Sequence, residues 1–388
     1  MTERPIYLDY QATTPIDPRV LNRMMHFFTT AFGNASSADH GYGDEAEVAV
    51  KKAAEQVANL VGAAKTRVIF TSSATESINL AIQGSISRSN LQKPKVAITP
   101  VEHKAVVDTC QALAKKDKIE LIELSVDQLG RVNLKEIEDV CSKGLSLLCV
   151  MAANNEIGTV YPIKEISEIA VKHRVPFLCD GSQAVGKIPI KFDEWGITYL
   201  AISAHKMYGP KGSGALVVKN KNSLDPMIFG GGHQTGLRSG TLNVPGIVGL
   251  GETCYLRNLE MEEDEKEIAK KRDLLQQLLV EKIPDLVING DINCRLAGSL
   301  HISIPRVFNK TVIAGVKSKL AISRGSACSS AGEEASHVLK AIKLSNELVE
   351  GALRISIGKF SMQQEIVIAA QILTEAILKC LKKLHKVP

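Results

Sequence analysis

From residue 68 to residue 218 the chain alternates short apolar runs with stretches of helical spacing, and nothing else in it constrains the fold as strongly. The runs at 68–70, 96–98, 147–151, 176–179, 200–202 and 214–218 have strand length and are rich in Val, Ile and Leu. Between them, residues 76–84, 105–115 and 163–173 space their apolar side chains as amphipathic helices do. Strands buried on both faces and joined by helices build a mostly parallel sheet with helical cover, an open α/β layer. Ligands of such sheets sit at the carboxyl ends of the strands, so the residues just past each run are where chemistry is expected. Upstream, residues 7–15 predict a short strand ending in a loop, and residues 18–28 and 45–61 predict helices.

At 388 residues the chain exceeds one ordinary core of about 100 to 200 residues. Near residue 256 the texture changes. Residues 259–274 run acidic first and basic later, a polarity that suits a helix dipole and reads as a solvated helix face or as a charge block for a partner. Strands at 299–304 and 353–357 and helices at 336–343 and 363–382 then predict a smaller α+β domain. The expected division is 14–256 for the large domain, with 1–13 and 257–388 forming the small one.

The formal charge of +5, the 4% aromatic content and the lack of a basic block give no support to direct DNA binding. Residues 1–5 run into the first strand without a signal-peptide core, and the longest apolar runs fall short of the roughly 18 residues of a membrane span, so a cytoplasmic protein is expected. None of the eight cysteines pairs at zinc or dithiol spacing. Cys110, Cys149, Cys179 and Cys254 sit in apolar settings and are predicted to be buried. Cys328 stands in a run of Ser, Gly and Ala at 323–332, which cannot build a packed core and is expected to move.

Residues 199–212, Tyr-Leu-Ala-Ile-Ser-Ala-His-Lys-Met-Tyr-Gly-Pro-Lys-Gly, are an apolar strand that hands Lys206 into a turn. A lysine there is a solvated loop residue or, once desolvated, an amine able to form a Schiff base with an aldehyde cofactor. Four earlier strand ends supply context. Residues 71–77, Thr-Ser-Ser-Ala-Thr-Glu-Ser, open a helix with hydroxyls and amides, either an anion site or a capping box of Ser73 with Glu76. His103 is a structural imidazole or a ring stacked on a planar cofactor. Asn154 and Asn155 are turn mimics or polar ligands. Asp180 closes the strand at 176–179, where a carboxylate needs a partner and a pyridinium nitrogen would serve. Asp180 and Lys206 on successive strand ends, with Ser203 and His205 as further phosphate donors, form the constellation a pyridoxal phosphate enzyme requires.

Specific motifs extend this. Thr75-Glu76-Ser77, Glu102-His103-Lys104, Asn154-Asn155-Glu156-Ile157-Gly158, Asp180 with Gln183, His205-Lys206, Tyr208-Gly209-Pro210-Lys211-Gly212, Gly230-Gly231-Gly232-His233, Arg238-Ser239-Gly240-Thr241 and Gly325-Ser326-Ala327-Cys328 stand in order along the chain. With them the chain resembles the cysteine desulfurases of the NifS/IscS type, within the fold-type I pyridoxal phosphate enzymes, over essentially its whole length. The resemblance implies a fold-type I transferase: a large domain with a mostly parallel seven-stranded sheet between helices, and a smaller α+β domain carrying the Cys328 loop.

It also implies roles. Lys206 holds pyridoxal 5′-phosphate as a Schiff base, Asp180 pairs with the pyridine nitrogen, His103 stacks on the ring as a catalytic residue, and Gln183 bonds the phenolic oxygen. Ala74, Thr75, Ser203 and His205 hold the phosphate, and Thr241 reaches the phosphate of a neighbouring subunit, which makes a homodimer. Asn155, also at the cofactor, and Arg354 bind the carboxylate of L-cysteine, Arg354 because its fork matches a carboxylate; from its own residues alone, Arg354 reads as a sheet-edge salt bridge. Cys328 attacks the substrate sulfur, giving L-alanine and a persulfide destined for an iron–sulfur scaffold protein or another acceptor, with tRNA thiolation as a further outlet. In that setting Cys328 is also a transient iron–sulfur ligand shared with the scaffold. A selenocysteine lyase would share the fold and Lys206, and a catalytically silent sulfur-relay or scaffold-binding protein would keep the fold alone.

The sequence departs from the family pattern in places. Arg324 replaces a Ser and Ser329 a Thr around Gly-Ser-Ala-Cys, which still places the chain with the long-loop class, and Arg324 is expected to lower the Cys328 thiol pKa through its charge. Ala35 and Ala335 stand where Pro is usual, and Gly351 where Ser is common beside Arg354. Relatives with a tail longer than residues 384–388 use it to dock an iron–sulfur scaffold.

Overall fold

The computed structural model describes residues 4–324 and 336–384. β1 (Ile6–Tyr7) leads to α1 (Pro18–Thr29) and α2 (Gly41–Val61). The alternating region follows as β2 (Val68–Thr71), α3 (Ala74–Ser87), β3 (Lys95–Ile98), α4 (Lys104–Lys115), β4 (Glu120–Glu123), α5 (Leu134–Ser142), β5 (Leu147–Met151), α6 (Ile163–Lys172), β6 (Phe177–Asp180), the single turn α7 (Phe192–Trp195), β7 (Tyr199–Ser203) and β8 (Gly214–Val218). The remainder is α8 (Val244–Val280), β9 (Val287–Ile288), β10 (Ser299–Ser303), α9 (Asn309–Val316), β11 (Leu320–Ala321), α10 (His337–Ala341), α11 (Asn346–Glu350), β12 (Ala352–Ser356) and α12 (Gln363–Leu384).

Seven strands form one sheet in the order β2-β8-β7-β6-β5-β3-β4, parallel throughout except for β8, which runs antiparallel to both neighbours. This is the predicted fold class. Alternate side chains of a strand face opposite sides of a sheet, and the cores follow that rule. On β7, Leu200 and Ile202 join the cluster under α2 and α6, while Tyr199 and Ala201 join the one under α3 and α4. Cys110, Cys149, Cys179 and Cys254 are all buried as expected. A third cluster gathers Leu8, Ile302, Leu353 and Leu373 around the antiparallel sheet β12-β10-β9. Among the described residues no helix is long and apolar enough to cross a membrane.

The largest departure from expectation is α8. Its Gly246, Gly249 and Gly251 hide it from helical spacing, yet they let it lie close on its neighbours: a Cβ on Gly251 would stand 2.6 Å from Ala53 Cα, and one on Gly249 2.5 Å from the Met24 sulfur. Residues 259–274 are therefore the middle of a helix and not its start, so their charge order does not serve a helix terminus. Nor is the face wholly solvated, because Arg257 is 1% exposed and bonds the Gly186 carbonyl at 2.7 Å, Glu265 at 3.0 Å and Asp264. The strand β4, Glu-Leu-Ile-Glu, escaped notice because it is an edge strand with both ends exposed.

The opposite edge is closed by a side chain. Gln234 accepts from Phe70 N at 2.7 Å and donates to Phe70 O at 2.8 Å, taking both outward hydrogen-bonding groups of that β2 residue.

Candidate active site

Lys206 sits in the 3-10 turn Ala204–Lys206 that follows β7. The loop after β1 closes over this turn. Thr14 N donates to the His205 carbonyl at 2.9 Å, Tyr208 N donates to Thr14 Oγ1 at 2.8 Å, and His205 Nδ1 lies 3.0 Å from Thr13 Oγ1. Lys206 Nζ donates to the carbonyls of Gln11 and Ala12, each at 2.7 Å. Gln183 Nε2 reaches the same Gln11 carbonyl at 2.9 Å, so the two side chains converge on one oxygen.

Asp180, the last residue of β6, is buried, and its Oδ1 accepts the amide and hydroxyl of Ser182. Two strands along the sheet, past β5, Glu102 is fully buried beneath this edge. It takes the Thr99 hydroxyl at 2.7 Å and Met151 N at 3.0 Å, and burial pushes its carboxyl up to about 8. Next to it His103 caps α4, its Nδ1 accepting from Ala105 N at 3.1 Å. Asn154 turns out to be the turn mimic, with Oδ1 accepting from Glu156 N and Ile157 N. Asn155 presents its carbonyl to Arg354.

Strand pairing sets where the residues expected at the phosphate stand. Ser203 is opposite Gly214, and a Cβ on Gly214 would lie 2.8 Å from the Ser73 carbonyl carbon, so the first turn of α3 stands against the end of β7. Ser73 caps α3, its Oγ accepting from Glu76 N at 3.3 Å, but the Glu76 carboxylate accepts from Ser72 N at 2.8 Å and not from Ser73 N, so the expected box is displaced by one residue; Ala74 and Thr75 occupy the helix start, whose amides point outward. His205 is held down to about 4 by burial and by the charges of Lys206, Lys211 and Lys187, and is neutral at pH 7. The outward amides at the start of α3 favour an anion, as a helix dipole does, and the three ammonium groups add positive charge around His205.

Arg354 comes from β12, opposite His301 of β10, and is 1% exposed. Its Nη2 bonds Asp9 Oδ1 at 2.9 Å and its Nη1 the Asn155 carbonyl at 3.1 Å, while Nε is buried without a partner among the described residues. Burial raises the Asp9 carboxyl, and the charges of Arg354 and Lys206 oppose the rise. Thr241 is exposed in the segment ahead of α8, and among the described residues no hydrogen bond joins it to the strand-end group. Cys328 lies outside the described residues, as does Ala335. The residues flanking that segment reach the site: Ser323 pairs with Arg354 through the main chain, Ser336 Oγ donates to Glu156 at 2.6 Å, and His337 Nε2 lies 2.9 Å from the Glu102 carbonyl.

The family model for aminotransferase class-V matches residues 6–368. The chain belongs to the class-V aminotransferase family. Cysteine desulfurase IscS of Anaeromyxobacter sp. (strain K) is 41% identical over 377 residues, 97% of this class-V chain and 93% of the relative. A solved NifS-like protein superimposes with a TM-score of 0.89 at 34% identity, covering 96% and 99% of the two chains. The structure titled "SspA in complex with cysteine" gives 0.81 at 32% identity over 92% and 100%. Class-V enzymes of this kind depend on pyridoxal 5′-phosphate, and the residues suit one: a lysine amine, a buried strand-end carboxylate and a helix N-terminus lie along one sheet edge.

Proposed function

We propose that this pyridoxal 5′-phosphate-dependent enzyme is a cysteine desulfurase that converts L-cysteine to L-alanine and leaves the sulfur as a persulfide on Cys328, for iron–sulfur cluster assembly or tRNA thiolation. Near-complete matches to proteins named cysteine desulfurase and to a structure titled with bound cysteine support the reading. The observation that carries it is the convergence of Lys206 and Gln183 on the Gln11 carbonyl, one strand from the buried Asp180.

In this reading Lys206, Asp180, Gln183 and His103 would hold the ring, and Ala74, Thr75, Ser203 and His205 the phosphate. Asn155 would meet the cofactor and the substrate together. Bound there, the cofactor supplies an electron sink for negative charge at the substrate Cα. The Lys206 amine removes the Cα proton, and the two main-chain carbonyls that now receive its Nζ fix where it waits. Arg354 and Asn155 orient the substrate carboxylate, with Arg354 Nε, which has no partner among the described residues, as an available donor. The Cys328 thiolate forms a bond to the substrate sulfur while the Cβ–S bond breaks, and that electron pair and a proton complete the methyl group of alanine. Thr241, exposed in each chain, would complete the phosphate site of a second copy, making a homodimer. The proposed division keeps 14–256 as the cofactor lobe and joins 1–13 with 257–388 as the lobe carrying Cys328, α8 passing from one to the other. The free cysteines among the described residues are in keeping with a reducing cytoplasm.

Incubating the yellow holoenzyme with cysteine should yield alanine and, with a reductant, sulfide. Cys328→Ser should retain the colour and lose turnover. Matching rates in the two proteins would rule out the persulfide route.

A further inference from the structure

The Gln183 carboxamide is fixed at both ends. Lys187, one turn later, donates from Nζ to Gln183 Oε1 at 3.0 Å, and Gln183 Nε2 donates to the Gln11 carbonyl at 2.9 Å. An ammonium only donates and a main-chain carbonyl only accepts. The two contacts therefore admit one orientation, with oxygen toward Lys187 and amino group toward the carbonyl that also receives Lys206. Gln183 is 3% exposed, and Lys187 makes no ion pair among the described residues. Lys187 and Glu265 line a cavity of about 20 Å³, room for roughly one water, together with Tyr10, Gln11, Thr14 and Tyr208. The charges that face Lys187 are Glu265 and Arg257 from α8 and Lys206 from the strand end, and Lys187 in turn acts on His205.

We propose that Lys187 is a positioning residue: by holding the Gln183 carboxamide with its amino group toward Lys206, it makes residue 183 an obligate hydrogen-bond donor to the anionic ring oxygen of the cofactor. The inference rests on the cofactor reading given above. A residue 183 free to turn its oxygen inward would set a lone pair against that anion, and Lys187 adds to the Gln11 carbonyl a second contact that the turn would break. A donor to the ring oxygen spreads its charge, and a second cation near Lys206 opposes further positive charge there. Both effects lower the pH at which the lysine-bound cofactor gives up its proton. Loss of water around its own ammonium brings Lys187 down to about 8, with Glu265 opposing that shift and Lys206 adding to it.

The test is a pH titration of the visible absorption band in the holoenzyme, which a merely structural role would leave unmoved. Lys187→Met should raise the midpoint by about one pH unit, and Gln183→Ala should move it the same way. The double variant should show little beyond the larger single shift, because the two residues act through one hydrogen bond, and Lys187→Arg should restore most of the wild-type midpoint. Should the methionine variant not fold, Lys187→Gln carries the same titration. An unshifted midpoint in the Lys187 variants, or shifts that add in the double variant, overturns the proposal. A wild-type protein that develops no such band with added pyridoxal 5′-phosphate overturns the cofactor reading itself, a distinct result.

Discussion

At the carboxyl edge of the seven-stranded sheet, Asp180 and Ser203 are fixed by the strands that end on them. Arg354, on the small sheet, is held instead by Asp9, Asn155 and Ser323, drawn from three separate segments. The first arrangement needs only local structure to be right, since a strand end sets position and direction at once. The second exists only when the whole chain has folded. A cofactor that stays bound through every turnover suits the first kind of site. A substrate that enters and leaves suits the second, where an ion pair can be exchanged for a ligand of like charge: the Asp9 carboxylate occupies the guanidinium much as a substrate carboxylate would.

Substitutions at the two ends should separate these roles. Asp180→Ala should have the largest effect, lowering alanine formation about 10³-fold through kcat, as loss of an electrostatic partner of the reacting system does, while the protein remains folded. A loss confined to KM would place Asp180 with the substrate and dissolve the contrast. Arg354→Ala should act in the opposite sense, raising KM for cysteine about 10- to 100-fold through lost charged hydrogen bonds with a smaller change in kcat. Steady-state kinetics distinguishes the two patterns directly.

A smaller effect is expected from pH. His205 titrates near 6.5 when unfolded and near 4 in the fold, where burial and the ammonium groups of Lys206, Lys211 and Lys187 disfavour its charge. Between those values the unfolded chain binds the extra proton, so the stabilisation is complete above pH 6.5 and is lost as pH falls toward 4. Allowing for the partly exposed ring, the loss should be about 2 kcal/mol. Urea unfolding of the cofactor-free protein at pH 7 and 4.5 should show it, and His205→Asn should remove that part of the acid sensitivity. An equal acid loss in the variant would mean that the positive field at the phosphate end is weaker than its geometry suggests.

The same contrast explains what the amino-acid sequence disclosed. The strand ends carrying Lys206, Asp180 and His103 were legible because each apolar run stops abruptly on a polar residue, a local signal. The Asp9–Arg354 pair joins residues 345 apart, and nothing at either position announces the other. Asp9 therefore went unread as a site residue although its strand was expected. Glu102 was visible only as part of a motif, and its burial depends on partners distant in sequence, such as Met151 of β5, whose N donates to it. Lys187 offered one faint cue, its spacing of four from Gln183, which matters only once that segment is known to turn helically. The glycines of α8 concealed a helix for a physical reason: they are there to bring backbones together and carry no apolar side chain to count.

The grip of Gln234 on Phe70 has a further consequence. An uncovered edge strand invites another chain to pair with it, and here one carboxamide takes the place of that chain at Phe70 of β2. The same contact anchors the segment that runs on through Arg238, itself paired with Glu76 at 2.9 Å, to Thr241. In the proposed homodimer, the side chain that covers this edge at Phe70 is therefore also the one that anchors the segment offering Thr241.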